Sequence, residues 1–209
     1  MTWDDWIPVV LAAGRSERMG APKLALRHGG ASVLARTIGA VQRLTGRTPL
    51  VVTPAGGPVW AEAAAAGVVA ALNPAPERGL AGSLAIGAQA GGRRGLLVFL
   101  GDQPLVSARA VAAVLAEAER WPTAELVAPQ FRGGVPGHPV YVARRLLAGV
   151  GQLEGDRGAR ALARNLPPEL ACCVAVDEPA PPDLDTPADW AQFQQQHGEP
   201  HAPGAGANI

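Results

Sequence analysis

Short apolar runs of about five residues alternate along the chain with longer stretches in which apolar residues recur at helical spacing. Runs that are apolar throughout are typical of strands buried on both faces of a sheet. The longer stretches predict helices, and Ser32 and Ser107 stand where N-caps belong. The predicted strands cover residues 7–12, 50–53, 68–72, 96–100, 125–128, 138–142 and 172–176. The predicted helices cover residues 32–44, 59–66, 83–90, 107–120, 159–165 and 187–196.

This alternation is typical of βαβ units and predicts an α/β domain with three layers around a mainly parallel, mixed central sheet. With 209 residues, nearly half of them apolar, the chain is long enough for one well-buried core and short for two. We therefore expect a single domain over residues 1–196. Residues 197–209 have too little apolar content to pack, so we expect a flexible C-terminal tail.

Composition and charge argue against several kinds of partner. Acidic and basic side chains balance at 18 each, which argues against binding of nucleic acid or of an anionic membrane surface. No apolar stretch approaches the roughly 18 residues of a membrane span, and Asp4 and Asp5 stand where a signal peptide carries positive charge. The adjacent Cys172 and Cys173 are poorly placed for a disulfide, which favours a reducing compartment. We expect a cytoplasmic protein and, since nothing indicates an obligate dimer, a monomer.

The loop after the first predicted strand combines glycines with cations. Ligands of open α/β sheets bind beyond the carboxyl ends of the strands, which is where this loop lies. Gly14 and Gly20 let the backbone approach a ligand closely, and consecutive amide groups in such a turn bind anions. Arg15, Arg18 and Lys23 add positive charge around the turn, so the loop is suited to a polyphosphate.

A solvated glycine-rich connection would have the same composition, so the loop by itself leaves its role open. Two other phosphate-binding patterns are missing, because residues 11–23 contain neither G-x-x-x-x-G-K-S/T nor G-x-G-x-x-G. Their absence argues against a P-loop NTPase and against a nicotinamide enzyme.

Residues 11–23, LAAGRSERMGAPK, resemble the signature L-A-A/G-G-x-S-x-R-M-G-x-x-K of the MobA-like NTP transferases at every fixed position. The resemblance implies a Rossmann-like nucleotidyltransferase fold in which this loop binds the triphosphate, with Arg18 and Lys23 as catalytic phosphate ligands. The other residues that it assigns to nucleotide binding here are Leu11, Ala12, Ala13, Gly14, Arg15 and Ser16. Ala13 stands where the guanylyltransferase branch more often has a second glycine, and this resembles the molybdenum cofactor cytidylyltransferase branch, which implies CTP.

The leading candidate for a metal ligand is Asp102, in the sequence GDQP (residues 101–104) after a predicted strand. Nucleotidyl transfer needs charge neutralisation on the triphosphate, which Mg²⁺ held by carboxylates usually supplies. An aspartate after a strand is, without context, as often a cap or turn residue. GDQP resembles the family's metal-binding element G-D-Q/M-P, which implies that Asp102 is a catalytic residue and a Mg²⁺ ligand. Gln103 again resembles the cytidylyltransferase-like branch.

The segment DLDTP (residues 183–187) offers two more carboxylates, Asp183 and Asp185. It is similar to the family's D-I/L-D-T-P element, whose later aspartate completes the metal site, so the resemblance implies Asp185 as the second Mg²⁺ ligand. Asp185 or Thr186 also has the position of a helix N-cap, and the two roles are compatible.

Residues 73–83 resemble the family segment that lies over the base and ribose, which implies nucleotide contacts from Asn73, Gly79 and Ser83. A flexible loop with an N-capping serine explains the same residues nearly as well, and base identity does not follow from them.

Two later segments resemble elements on the acceptor side of the family. Residues 132–140, RGGVPGHPV, match R-G-x-x-G-H-P-V/A, and residues 155–160, GDRGAR, match G-D-x-G-A/L-R. His138 either contacts bound substrate or hydrogen-bonds in a turn before a strand. Arg157 and Arg160 either complement an anionic acceptor or lie on a solvent-exposed face.

Together these elements, which occur in the family's order, imply transfer of CMP from CTP to the terminal phosphate of a molybdopterin-type acceptor, with Mg²⁺ as cofactor and pyrophosphate as product. A molybdenum enzyme is the expected recipient of the product. Three rivals remain from the sequence: a guanylyl- or other NTP transferase with a different phosphorylated acceptor, an oxidoreductase, and a non-catalytic nucleotide-binding maturation factor for a molybdenum enzyme.

Overall fold

The strands form where the sequence is apolar throughout. The computed structural model describes residues 6–14, 16–155 and 158–197. Its strands are β1 (Trp6–Leu11), β2 (Arg27–His28), β3 (Ala31–Ser32), β4 (Leu50–Pro54), β5 (Ala70–Asn73), β6 (Gly95–Leu100), β7 (Leu126–Phe131), β8 (Val135–Pro136), β9 (Val140–Ala143) and β10 (Ala171–Val176). Each apolar run predicted from the sequence overlaps one of these strands, which confirms those predictions.

The helices follow the predicted amphipathic stretches. The α-helices are α1 (Val33–Thr45), α2 (Gly57–Ala65), α3 (Gly79–Ala90), α4 (Ala108–Arg120) and α5 (Pro187–Gln196). Shorter 3-10 helices cover Glu17–Met19, Lys23–Ala25, Pro76–Arg78, Arg132–Gly134, Arg144–Gln152, Ala159–Asn165 and Pro168–Leu170. Both predicted serine caps are confirmed, because Ser32 Oγ accepts from Ala35 N at 3.1 Å and Ser107 Oγ accepts from Ala110 N at 2.9 Å.

The central sheet is mixed and mainly parallel, as predicted. Its order is β10-β7-β9-β6-β1-β4-β5, and only β9 runs against its neighbours along this path. A parallel return after β7 would need a crossover of about a dozen residues or more. The connection between Phe131 and Val140 is too short for that, so β9 pairs antiparallel.

Alternate residues of each strand contribute to different layers of the core. Val10 and Phe99 pack with α1, α2, α4 and α5 on one face of the sheet. Val9 and Val98 pack with α3 and the 3-10 helices Arg144–Gln152 and Ala159–Asn165 on the other face. Successive strand side chains point to opposite faces, so one apolar run serves both layers. Helices, sheet and helices thus form the three predicted layers.

The structure corrects the sequence-based elements at several places. α3 begins at Gly79 instead of residue 83, because the 3-10 turn Pro76–Arg78 leads directly into it through the left-handed φ of Gly79, 68°. Ser83 therefore lies inside the helix and is not its N-cap. Residues 159–165 form a 3-10 helix instead of an α-helix. The β2–β3 hairpin was not predicted, because strands of two residues are too short to show a hydrophobic period. The helix Arg144–Gln152 was missed although its apolar residues do lie on one face.

Arg15, Arg157 and the predicted tail beyond His197 lie outside the described residues. No helix in the described part of the chain combines the length and apolar character required to cross a membrane.

Candidate active site

The loops that carry the candidate residues leave the sheet at one edge. β1 and β6 are parallel neighbours that pair up to Leu11 and Leu100, so the loops after them begin side by side. β6 and β7 are each antiparallel to β9 and therefore share a direction, and β10 is parallel to β7. The carboxyl ends of these strands thus meet at the edge where α/β proteins bind ligands.

Lys23 lies at the centre of this edge. The loop after β1 passes through Ser16, which has a left-handed φ of 54°, and Lys23 N donates a hydrogen bond to Ser16 Oγ at 3.3 Å. Lys23 Nζ contacts Asp102 Oδ2 and Asp185 Oδ1, both at 2.6 Å. Only 11% of the Lys23 side chain is exposed. One ammonium group therefore joins two carboxylates that are far apart in the sequence.

Asp102 is positioned by the glycine that precedes it. Gly101 N donates to Leu11 O at 2.9 Å, and the buried Thr37 Oγ1 of α1 donates to Gly101 O at 2.9 Å. A Cβ on Gly101 would lie 3.2 Å from Leu11 O and from carbons of two other side chains. The loop is therefore packed against β1 and α1, and Asp102 starts from a fixed backbone.

The segment before α5 is attached to the Asp102 loop. Leu184 is buried in the core, and its N donates to Asp102 O at 3.4 Å. Gln103 Nε2 donates to Asp183 Oδ1 at 2.7 Å. These contacts hold both Asp183 and Asp185 beside Asp102.

The carboxylate of Asp185 is not used to cap α5, because Thr186 has that role. Thr186 Oγ1 accepts from Asp189 N at 3.2 Å and Asp189 Oδ2 accepts from Thr186 N at 2.7 Å, which forms a capping box. Asp185 Oδ2 instead contacts an Nη of Arg18 at 2.9 Å. The Arg18 side chain is 75% exposed, so its guanidinium group can move at little cost.

Charges at the site shift the ionisation of its members. The pKa of Lys23 is raised, because burial, which lowers it, is outweighed by the attraction of Asp102 and by hydrogen bonds to Asp102 and Asp185. Burial raises the pKa of Asp183, and the neighbouring Asp102 and Asp185 raise it further, although the bond from Gln103 acts in the opposite direction. Lys23 therefore remains an ammonium group, and its charge in turn lowers the pKa of Asp183, which is nevertheless raised on balance.

These side chains face a cavity of about 460 Å³, next to a second of about 480 Å³. The first is lined by Leu11, Ala13, Gly14, Ser16, Arg18, Lys23, Leu24, Pro76, Glu77, Gly79, Leu80, Ser83, Leu100, Asp102, Asp183 and Asp185. The second is lined by Ala13, Gly14, Ser16, Gly20, Ala21, Pro22, Pro54, Gly56, Pro58, Val59 and Pro76. Because some lining residues are common to both cavities, the two form one groove. One half of the groove is charged, and the other half is walled by glycines, prolines and other small residues.

The family model of the MobA-like NTP transferase domain matches residues 8–170, which is most of the chain. The chain belongs to the MobA-like NTP transferase family. It is therefore a nucleotidyltransferase, and the groove at the carboxyl edge is the candidate active site.

Solved structures share this fold. Rv0371c of Mycobacterium tuberculosis is 27% identical and matches with a TM-score of 0.75 over 93% of this chain and 100% of that one. A structure of Rv0371c in complex with manganese matches with 25% identity and a TM-score of 0.69 over 91% and 98% of the two chains. Molybdopterin-guanine dinucleotide biosynthesis protein A of Archaeoglobus fulgidus is 13% identical, with a TM-score of 0.66 over 90% and 97%. No curated protein matches the chain.

In this member of the MobA-like family, Asp102 and Asp185 fit a divalent cation. Their oxygens both lie 2.6 Å from the same nitrogen, so the two carboxylates face one position. The described residues contain no group of three or more His, Cys, Asp or Glu side chains that could hold a metal. Two carboxylates are a suitable donor set for Mg²⁺, which typically binds one or two of them together with substrate phosphates.

The structure places most of the predicted site residues on the charged half of the groove. Those that line it are Leu11, Ala13, Gly14, Ser16, Arg18, Lys23, Gly79, Ser83, Asp102 and Asp185. Ala12 is buried in the core, and its backbone N donates a hydrogen bond to Val52 O at 2.8 Å. Asn73 lies behind the wall, where its Nδ2 donates to Ser83 Oγ at 3.1 Å.

His138 does not line either half of the groove. It precedes β9, whose pairing with β6 brings it to the same edge. Burial and the nearby charge of Arg160 lower the pKa of His138 to about 3, so the imidazole is neutral at physiological pH. Arg160 therefore lies close to His138, as its effect on that pKa shows.

Sequence reasoning missed the residues that position the site. Contacts between distant segments hold the site in place. They are made by Thr37, by Leu184 and by the hydrogen bond between Gln103 and Asp183. Gln103 belongs to the GDQP element, but the sequence carries no signal of its partner Asp183. The proline- and glycine-walled half of the groove was likewise not predicted, because strand order brings its walls together.

Proposed function

We propose that this protein transfers CMP from CTP to the terminal phosphate of a molybdopterin-type cofactor and releases pyrophosphate. The observation that carries the proposal is the contact of Lys23 and Arg18 with Asp102 and Asp185 on the wall of one cavity. A triphosphate bound in this cavity would therefore lie close both to the cations Lys23 and Arg18 and to a divalent cation held by Asp102 and Asp185.

The triphosphate belongs in the charged half of the groove. There Lys23 and Arg18 would contact its oxygens, and Ser16 and Gly14 would bring backbone amides close to them. Asp102 and Asp185 would hold Mg²⁺, which supplies charge neutralisation on the phosphates. The manganese complex of Rv0371c supports a divalent cation in this family.

The other half of the groove is suited to the nucleoside. Its glycines permit close approach of a flat base, and prolines such as Pro54, Pro58 and Pro76 provide apolar walls. Asn73 supports the adjoining charged half from behind through Ser83. The choice of CTP rests on Ala13 and Gln103, which resemble the cytidylyltransferase branch.

The reaction would be an in-line displacement. An oxygen of the acceptor phosphate forms a bond to the α-phosphorus while the bond from that phosphorus to the bridging oxygen of the β-phosphate breaks. Pyrophosphate leaves with the electron pair, and Lys23 and Arg18 stabilise the negative charge that develops. No strong base is required, because a phosphate acceptor is already ionised at neutral pH.

The acceptor would enter from the side of His138 and Arg160. A neutral imidazole offers one donor and one acceptor, and the guanidinium group complements a phosphate. The product would then pass to a molybdenum enzyme.

Pyrophosphate release from CTP, GTP, ATP and UTP, measured with molybdopterin and Mg²⁺ present, tests this proposal. We expect turnover with CTP, and strict preference for GTP would contradict the cytidylyl assignment. Asp102→Asn should reduce the rate by about 10²- to 10³-fold. Glu169→Gln neutralises an exposed carboxylate in the 3-10 helix Pro168–Leu170 and is the matched control, for which we expect no change. Unchanged turnover in Asp102→Asn would contradict a catalytic role for this residue.

A further inference from the structure

Lys23 contacts the two carboxylate oxygens that are the candidate metal ligands. Its ammonium nitrogen lies 2.6 Å from Asp102 Oδ2 and 2.6 Å from Asp185 Oδ1. The second oxygen of Asp185 is paired with Arg18 at 2.9 Å. Each carboxylate that would bind a metal therefore already has a cationic partner within the protein.

A metal ion and this ammonium group exclude each other. An Mg²⁺ ion lies about 2.1 Å from its oxygen ligands, which is shorter than an ammonium–oxygen contact. An ion bound to Asp102 Oδ2 and Asp185 Oδ1 would therefore occupy the space between them that Lys23 Nζ holds. Repulsion between the two cations in a partly buried site adds to this overlap.

A triphosphate in the charged half of the groove would give Lys23 a new partner. Lys23 and Arg18 line the same cavity, and both are joined to the backbone by long, flexible side chains. Phosphate oxygens that bind these cations would withdraw them from Asp102 and Asp185. The carboxylates then become available to a metal ion that also contacts the phosphates.

We propose that Lys23 is an internal competitor of the metal, which keeps metal affinity low until a nucleotide triphosphate draws the ammonium group away. Metal and triphosphate binding are then positively coupled, and the coupling is reciprocal. This inference rests on the proposed function, since it uses the triphosphate and metal positions assigned there. It adds a role for Lys23 in the nucleotide-free protein, beyond contact with phosphate.

Binding of Mn²⁺ alone to the nucleotide-free protein, followed by electron paramagnetic resonance and calorimetry, tests the competition. We expect Lys23→Met to bind Mn²⁺ at least about 10-fold more tightly than the wild type, in the range typical of coupled sites. Arg18→Met removes an equal charge from the same cavity but from an exposed side chain, so we expect a gain below about 3-fold. Equal gains in the two variants would show a general charge effect and would overturn the proposal.

Two further variants complete the test. Lys23→Gln keeps a neutral hydrogen-bond donor near the carboxylates and should give the same gain if Lys23→Met does not fold. Adding Asp102→Asn to either Lys23 variant should abolish the gain, because it removes one of the two ligands. Wild-type affinity as high as that of the Lys23 variants would overturn the competition. Because neither CTP nor acceptor is used, failure of the cytidylyl assignment leaves these results unaffected.

Discussion

Gln103 Nε2 donates a hydrogen bond to Asp183 Oδ1 at 2.7 Å and joins the loop after β6 to the segment before α5. Gln103 is buried, and the neighbouring bond from Leu184 N to Asp102 O at 3.4 Å lies alongside. The two segments carry the candidate metal ligands. Their relative position therefore depends on a polar contact between Gln103 and Asp183.

Removal of this contact should weaken both fold and activity. We expect Gln103→Leu to lower the free energy of unfolding by about 1 to 2 kcal/mol, because the partly buried Asp183 loses its donor. Urea denaturation measures this change, and pyrophosphate release should fall as Asp102 and Asp185 separate. Gln130→Leu is the matched control, since the Gln130 side chain is exposed and its Nε2 lies 3.5 Å from Gly134 O. Equal losses in both variants would contradict the role of Gln103.

Gly101 should not tolerate a side chain. The added Cβ of Gly101→Ala would lie 3.2 Å from Leu11 O and from carbons of Ala12 and Leu24, so its neighbours must shift. We expect a loss of about 1 to 3 kcal/mol in the free energy of unfolding and a displaced Asp102. Gly151→Ala has open space around the new methyl group and should change stability by less than about 0.5 kcal/mol. Thermal unfolding compares the two, and similar melting temperatures would contradict the prediction.

Asn73 and Ser83 should be energetically coupled. Asn73 Nδ2 donates to Ser83 Oγ at 3.1 Å, and Asn73 Oδ1 accepts from Ala75 N at 2.9 Å, all in a buried or partly buried setting. A double-mutant cycle with Asn73→Ala and Ser83→Ala should give a coupling of about 0.5 to 3 kcal/mol. Asn73→Ala should also raise the KM for the nucleotide, because it loosens the wall that Ser83 forms. Strictly additive effects on unfolding would show that the bond contributes nothing.

His138 should make the protein sensitive to acid. Its folded pKa is lowered to about 3 by burial and by Arg160, whereas the ordinary value is 6.5. Between these values the unfolded chain binds a proton that the folded chain does not, so the free energy of unfolding falls as pH decreases. The ring is partly exposed, so we expect a slope below the one-proton limit of about 1.4 kcal/mol per pH unit.

Unfolding measured at several pH values between 7 and 4 checks this expectation. His138→Gln should remove the slope that His138 contributes. Arg160→Gln should reduce it, because the pKa of His138 then lies closer to its ordinary value. An unchanged pH profile in His138→Gln would contradict the lowered pKa of His138.

Local patterns were sufficient to predict much of the fold. The apolar runs of β1 and β6, the caps Ser32 and Ser107, and the position of α5 depend on neighbours within a few residues. Ser83 shows where such reasoning fails. A serine near the start of a predicted helix resembles an N-cap, but a buried partner ten residues earlier determines its role.

For the candidate site, the sequence by itself determined which residue types follow which strands: a glycine-rich loop with Arg18 and Lys23, then Asp102, then Asp183 and Asp185. It also determined the family resemblance that the comparison confirmed. Only the tertiary structure decided that Lys23 lies between Asp102 and Asp185, that Thr186 caps α5, and that a second cavity continues the groove. The physical reason is distance along the chain: Lys23 is 79 residues from Asp102 and 162 from Asp185, and contacts of that range depend on strand order and direction, which no local pattern encodes.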